Sequence, residues 1–193
     1  MAEKTTLYLI DASSYVYRAF FALPSLTNPA GAPTNAVYGF TTMLLKLLRE
    51  TGATHVAAVF DAPGKNFRHD AYPEYKANRE AMPDELRGQI PLVHEVVDAL
   101  GVRRIAVDGV EADDVIASLA KRLAGNDVDV VVITGDKDLM QIVGPHVRLW
   151  DTMRDRWFDV AEVERRMGVP PSQVADVLGL MGDSVDNVPG VKG

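Results

Sequence analysis

Apolar residues along this chain follow two rhythms. Short unbroken apolar runs alternate with longer stretches in which apolar positions recur every three or four residues. "TLYLID" (6–11), "HVAAVFD" (55–61), "RRIAVDG" (103–109) and "DVDVVVITG" (127–135) read as strands. "HVRLWD" and "RWFDV" read as a strand pair at the sheet edge. The helical rhythm covers 13–23, with Asp11 or a nearby Ser as cap, and 35–50, with Asn35 as cap and Gly52 as stop. It also covers most of 83–101, then 111–125 with an acidic first turn, and two short helices near 161–167 and 171–180.

Strands that are apolar on both faces and separated by helices predict a mostly parallel sheet covered on both sides. The expected fold is therefore one three-layer α/β domain, and its ligand belongs outside the carboxyl ends of the strands. One stretch breaks the rhythm: "PGKNFRHDAYPEYKANREAMPDELRG" (63–88) is polar, laced with aromatics and bounded by prolines. A loop of that length in a compact domain is usually functional or disordered.

Composition narrows the class. The chain has 193 residues, 47% hydrophobic and 24% charged, the balance of a soluble globular protein with room for one substantial core. Cysteine is absent, which excludes disulfides and Cys-ligated metal sites and fits a reducing cytoplasm. The apolar run that ends at Asp11 is too short for a signal peptide or a membrane span, and no other stretch approaches one. Net charge is −7, which by itself argues mildly against nucleic acid as a partner.

The placement of the acids changes that picture. Three predicted strands run into carboxylates: Asp11, Asp61, and the pair Asp136 and Asp138. "VEADDV" adds Glu111, Asp113 and Asp114 at a helix start, and "GDSVDN" adds Asp183 and Asp186. Any one of them could be a cap or a turn residue. Capping, however, does not require acids at the same end of every long strand. Carboxylates gathered on one rim repel and rise in pKa unless cations are present, and hard divalent cations answer that need. Mg²⁺ is the expected ion, with Mn²⁺ as a substitute. Zinc is a poor candidate, because there is no Cys and the four His show no ligand spacing. Setting these nine acids aside turns −7 into +2, so the objection to nucleic acid weakens. Two divalent ions roughly 4 Å apart serve phosphodiester hydrolysis, one lowering the pKa of the attacking water and the other steadying the leaving oxygen.

Within the odd loop, Arg68, Lys76 and Arg79 stand beside Phe67, Tyr72 and Tyr75. Cations that meet phosphates and rings that stack on bases suit single-stranded nucleic acid, although nearby acids offset the charge and a solvated insertion explains the segment as well. "NVPGVKG" (187–193) can offer backbone N–H groups to a phosphate around Gly190, Lys192 and Gly193.

In combination, "LIDASSYVYRAFFA", "VFDAPGKNFRHDAYPEYKANR", "GVEADDVIA", "VITGDKDLMQIV" and "GLMGDSVDNVPGVKG" resemble the 5′-nuclease domains of bacterial DNA polymerases, within the flap endonuclease family, over nearly the whole chain. The resemblance implies a PIN-like core over 1–180 with a helical arch at about 63–88, and the start of a helix–hairpin–helix at 181–193. It implies two-metal hydrolysis of DNA at 5′ ends and 5′ flaps, leaving a 5′-phosphate and a 3′-hydroxyl, in primer removal and repair. Asp11, Asp61, Glu111, Asp113 and Asp114 fall where the family builds its first metal site. Asp136, Asp138, Asp183 and Asp186 fall where it builds the second. Lys76 and Arg79 match the arch cations at the scissile phosphate, Tyr75 the aromatic beside them, and Arg18 a phosphate-facing position.

The family continues past "GVKG" with the rest of the helix–hairpin–helix, and in the polymerases a polymerase domain follows in cis. The expectation is accordingly a monomeric, truncated nuclease. The competing expectation is an inactive fragment that only binds DNA junctions. A small-molecule phosphatase has little support, since there is no P-loop and no G-x-G-x-x-G. Ser13 and Ser14 lie outside any G-x-S-x-G elbow, which argues against acyl transfer.

Overall fold

The structure is a computed structural model that describes residues 4–191. Along the chain it contains β1 (Thr5–Asp11), α1 (Ala12–Ala22), α2 (Asn35–Thr51), β2 (His55–Val59), α3 (Phe67–Ala71), α4 (Asp84–Arg87), α5 (Ile90–Ala99), β3 (Arg103–Ile105) and α6 (Ala112–Leu123). There follow β4 (Val128–Ile133), a 3₁₀ turn at Asp138–Ile142, β5 (Val147–Asp151), β6 (Arg156–Phe158), α7 (Val160–Met167), a second 3₁₀ turn at Pro171–Gln173, and α8 (Val174–Met181).

The sheet order is β3-β2-β1-β4-β5-β6, with every pairing parallel except the edge strand β6. Side chains alternate across it. Ile10, Val131 and Ile133 pack on one face with Val16, Phe40, Leu44 and Val97 of the helices α1, α2 and α5. Leu9, Val130 and Val132 pack on the other with Ile116, Ala120 and Val163 of α6 and α7. Toward their carboxyl ends, Leu9 and Ile10 of β1 and Val130–Ile133 of β4 are almost fully buried, and each such side chain contributes roughly 1.5–3 kcal/mol. The posts that end at the functional edge are thus firmly packed.

This is the α/β fold with a mostly parallel sheet that the hydrophobic pattern predicts, including the edge pair. Local boundaries differ for physical reasons. Strands expected over 55–61 and 103–109 stop at Val59 and Ile105, although Phe60 N still donates to Ile105 O at 2.8 Å. The helix expected over 83–101 divides into α4 and α5, because Pro91 starts a new helix and cannot continue an old one. Asn35 is not the cap of α2. Thr34 occupies that position, and Asn35 turns inward to donate to Phe20 O at 2.8 Å and accept from Gln89 at 3.0 Å. The 63–88 stretch carries the short helices α3 and α4, and its backbone is tied to neighbouring loops by Phe67 N to Gly109 O at 3.2 Å and Lys76 N to Asp186 O at 2.9 Å. Among the described residues no helix is long and apolar enough to cross a membrane.

Candidate active site

Asp11 is the last residue of β1 and is buried. Its Oδ1 accepts from Ser14 N at 3.2 Å, so it does cap α1. Its Oδ2 accepts from Thr134 Oγ1 at 2.8 Å. Thr134 Oγ1 in turn accepts from Asp136 N, and Asp136 Oδ1 accepts from Asp138 N at 2.9 Å. A hydrogen-bonded line thus ties the end of β1 to the turn beyond β4, across the point where the strand order departs in both directions from β1. From the other side, Asp61 follows β2, accepts from Ala112 N at 2.8 Å and donates its own N–H to Ser13 Oγ. That bond fixes Asp61 to the start of α6, where Glu111 and Asp113 project.

Asp11, Asp61, Glu111, Asp113 and Asp136 line one cleft of about 380 Å³, together with Lys76, Arg79 and Arg18. Burial, joined by the charges of Asp136 and Asp61, pushes the Asp11 carboxyl up to about 7, against hydrogen bonds that lower it. Burial and the charges of Asp114 and Glu111 push Asp113 up to about 6. Burial and Asp136 do the same to Asp138, to about 6.

Four other acids, Glu111, Asp114, Asp183 and Asp186, are held by cations of the chain. Burial pushes Glu111 up, but Lys76, Tyr75 and Arg68 together outweigh it and hold the carboxyl below its ordinary range. Lys76 Nζ sits 2.6 Å from Glu111 Oε1, and Asn66 Nδ2 lies at the same distance. Asp183 pairs with Lys137 at 2.9 Å, and Asp186 with Arg79. Asp114 does not line the cleft. Arg68 grips both of its oxygens at 2.6 and 2.7 Å, and Glu111 N donates to it, which makes it a helix cap and an anchor for Arg68.

Tyr75 was expected as a stacking ring. In this conformation it is 7% exposed, edge-on to His69, and its hydroxyl lies 3.0 Å from Glu111 Oε2 and 2.9 Å from Asp186 Oδ2, with its one proton between the two carboxylates. The inserted segment is further stapled to the 183–188 loop by Lys76 N to Asp186 O, Asn78 Nδ2 to Ser184 O and Asn187 Nδ2 to Glu74 O. Gly190 serves a close backbone crossing, since a Cβ there would stand 2.3 Å from Met181 O. Lys192 and Gly193, expected at the phosphate, lie outside the described residues.

As they stand, no three acids among the described residues enclose a cation. Glu111, Asp183 and Asp186 are instead paired with Lys76, Lys137 and Arg79 respectively. The donor set nonetheless fits a hard divalent ion. It is all carboxylate oxygen, and Asp138 Oδ1 is buried without any hydrogen-bond partner. Sequence reasoning missed Thr134 and Asn66, which hold site acids. It also missed Asp151, which ends β5 just as Asp11 ends β1.

Residues 6–168 match the family model described as 5′-3′ exonuclease, N-terminal resolvase-like domain. The chain is 51% identical to DNA polymerase I of Pseudomonas aeruginosa over 99% of its own length, but spans 21% of that relative. It is 44% identical to the 5′-3′ exonuclease of Aquifex aeolicus over 97% of its length and 65% of the relative's. Among solved structures it is similar to the T5 5′-exonuclease bound to divalent metal ions (zinc), with a TM-score of 0.77 at 23% identity, covering 97% of this chain and 70% of that one. It is also similar to the catalytic core of Rad2 in complex with DNA substrate, with a TM-score of 0.60 at 19% identity, covering 99% and 58%. Because that family model matches residues 6–168, well over half of the chain, the chain belongs to the 5′-3′ exonuclease family.

Proposed function

We propose that this chain is a structure-specific 5′-nuclease that hydrolyses DNA phosphodiesters at 5′ ends and 5′ flaps. The observation that carries the reading is the cleft itself. Acids from the ends of β1, β2 and β4 and from the start of α6 line it with Glu80, and two cations of the inserted segment, Lys76 and Arg79, line it with them. An acidic rim alone would repel DNA. An acidic rim facing movable cations can bind a phosphate between the two.

Asp11, Asp61, Asp113 and Asp136 would hold the divalent ions, with Glu111 and Asp138, and Asp183 and Asp186 would join once their cations leave. Mg²⁺ is the ion the oxygen donors favour. When bound, such ions supply an activated water and charge stabilisation at the leaving oxygen. The chain's own part is positional. Rigid strand ends fix the ligands, and an ångström of misplacement is expensive in rate. Lys76 and Arg79 move from carboxylates to the scissile phosphate and stabilise charge that develops there. Tyr75 becomes available to a base only when the segment lifts.

Residues 1–180 are read as the nuclease core, with 63–88 as the arch, and 181–193 as the start of a helix–hairpin–helix. The similarity to polymerases supports a cytoplasmic role in primer removal and repair, with a polymerase domain in cis and the nuclease unit acting as a monomer. The test is cleavage of an end-labelled 5′-flap duplex with Mg²⁺ and with EDTA, alongside Asp61→Ala. Metal-dependent cleavage near the flap base, lost in the variant, is the expected result. Flap binding without cleavage at any metal concentration would favour a junction-binding fragment instead.

A further inference from the structure

The parallel strands β1, β2, β4 and β5 all run toward the functional edge, and the acid at the end of β5 takes no part in the cleft. Asp151 closes β5 and is 2% exposed. Its two oxygens accept from Arg18 Nη2 at 3.2 and 3.1 Å. Arg18 stands on α1, two turns beyond Asp11, and does line the cleft.

The guanidinium is held on several sides. Tyr15, one turn earlier on α1, places its ring 5.4 Å from Arg18 Cζ. The Tyr15 hydroxyl lies 2.8 Å from Thr152 Oγ1 and accepts from Thr152 N at 2.9 Å, which fixes the residue after Asp151. Met153 N also donates to Asp151 Oδ1 at 3.2 Å. On the remaining side lies Gly135. Gly135 is not among the glycines with positive φ, so its backbone does not call for glycine. Space does: a Cβ there would stand 1.8 Å from Arg18 Nη1 and 2.6 Å from Cζ. Nη1 fills that slot, buried and without an acceptor.

An arginine fixed this way gives up rotamer freedom and leaves a buried donor unpaired. Stability alone does not explain such an arrangement. Its location does, because Gly135 is the residue immediately before Asp136. We propose that Asp151 is a positioning residue, and that together with the Gly135 slot it presets the Arg18 guanidinium as a fixed phosphate-binding post on the β4 side of the cleft, opposite the movable Lys76 and Arg79. The proposal rests on the nuclease reading for its ligand, a DNA phosphate. A fixed post on one wall and mobile cations on the other would set the register of the strand before the segment closes.

The simpler alternative is that Asp151 merely neutralises Arg18, and the two make opposite predictions. Removing a neutralising acid strengthens DNA binding; removing a positioning acid weakens it. The experiment measures binding of a fluorescent 5′-flap DNA by anisotropy in EDTA, where no cleavage occurs, for the whole chain as wild type, D151N, G135A, R18Q and the doubles R18Q/D151N and R18Q/G135A. D151N and G135A are each expected to weaken binding about tenfold and to lower the salt slope by about 1, as loss of one phosphate contact does. Neither is expected to weaken binding further in the R18Q background, and G135A, at an exposed position, is expected to keep the wild-type melting temperature. Binding that is unchanged or tighter in D151N, or an equal loss for G135A with and without Arg18, overturns the proposal. Because this readout is independent of cleavage, failure of the nuclease reading shows separately, as wild-type protein that binds flap DNA and leaves it intact with Mg²⁺.

Discussion

Lys76, from the inserted segment, places its Nζ 2.6 Å from Oε1 of Glu111, the residue that precedes α6. One side chain therefore occupies the acid site from the element expected to hold the substrate. Lys76 sits in the left-handed region at φ 57, a conformation unfavourable for a non-glycine residue, and its backbone N–H donates to Asp186 O.

Replacing Lys76 with Gln separates its two roles. In the metal-free state it competes with cations for Glu111, so K76Q is expected to bind Mn²⁺ several-fold more tightly. At the phosphate it stabilises developing charge, so cleavage is expected to fall by a factor of about 100 or more. Titration calorimetry and single-turnover cleavage on the same preparation read the two effects.

The pH dependence of stability without metal follows from the raised carboxyls. Asp11, Asp113 and Asp138 bind protons more tightly in the folded state than at their ordinary 3.8, at about 7, about 6 and about 6 respectively. The stability they contribute is present at low pH and is lost as pH rises through the folded values. Glu111, Asp114 and Asp183 are held low, so their contribution is lost only as pH falls below about 4. In EDTA the melting temperature is therefore expected to rise by several degrees from pH 8 to pH 5 and to fall again below pH 4. Saturating Mg²⁺ at pH 8 should recover most of that rise, and Asp11→Asn should recover part of it without metal while abolishing cleavage.

Thr134→Val tests the line from Asp11 to Asp136. It removes the hydroxyl that donates to one and accepts from the other. Losing a buried pair of bonds costs about 1–3 kcal/mol. Because the Thr134 bond lowers the Asp11 carboxyl, its loss should move the stability change described above to higher pH.

Tyr75→Phe keeps the ring and removes the hydroxyl bridge between Glu111 and Asp186. The expected cost to the metal-free protein is about 1 kcal/mol, with flap binding unchanged. Tyr75→Ala should lose flap affinity in addition, by roughly 1–3 kcal/mol if the ring stacks on a base once the segment lifts.

Much of this was legible before any coordinates. Val130–Ile133 could only be an interior strand, and a strand buried on both faces fixes where its terminal acids emerge. Asp11 shows that the ordinary and functional readings of an acid need not compete, since it caps α1 and lines the cleft. The pattern did not separate Asp113 from Asp114. Neighbours on a helix point about 100° apart, so only one of them faces the cleft. Asp151 obeyed the same strand-end rule as Asp11 and went unused, because its partner Arg18 lies 133 residues away. The closure of the inserted segment on Ser184–Asn187 was illegible for the same reason: the bonds that make it join residues more than 100 positions apart.

The central claim is that these strand-end carboxylates form a divalent-metal centre, and that Lys76 competes with the metal for Glu111. Anomalous difference density from crystals grown with Mn²⁺ tests it most directly. The account predicts peaks between Asp11, Asp61, Asp113 and Asp136, with Lys76 Nζ withdrawn from Glu111. Saturating Mn²⁺ with no peak in the cleft, or with Lys76 still on Glu111 beside a fully occupied ion, would contradict it.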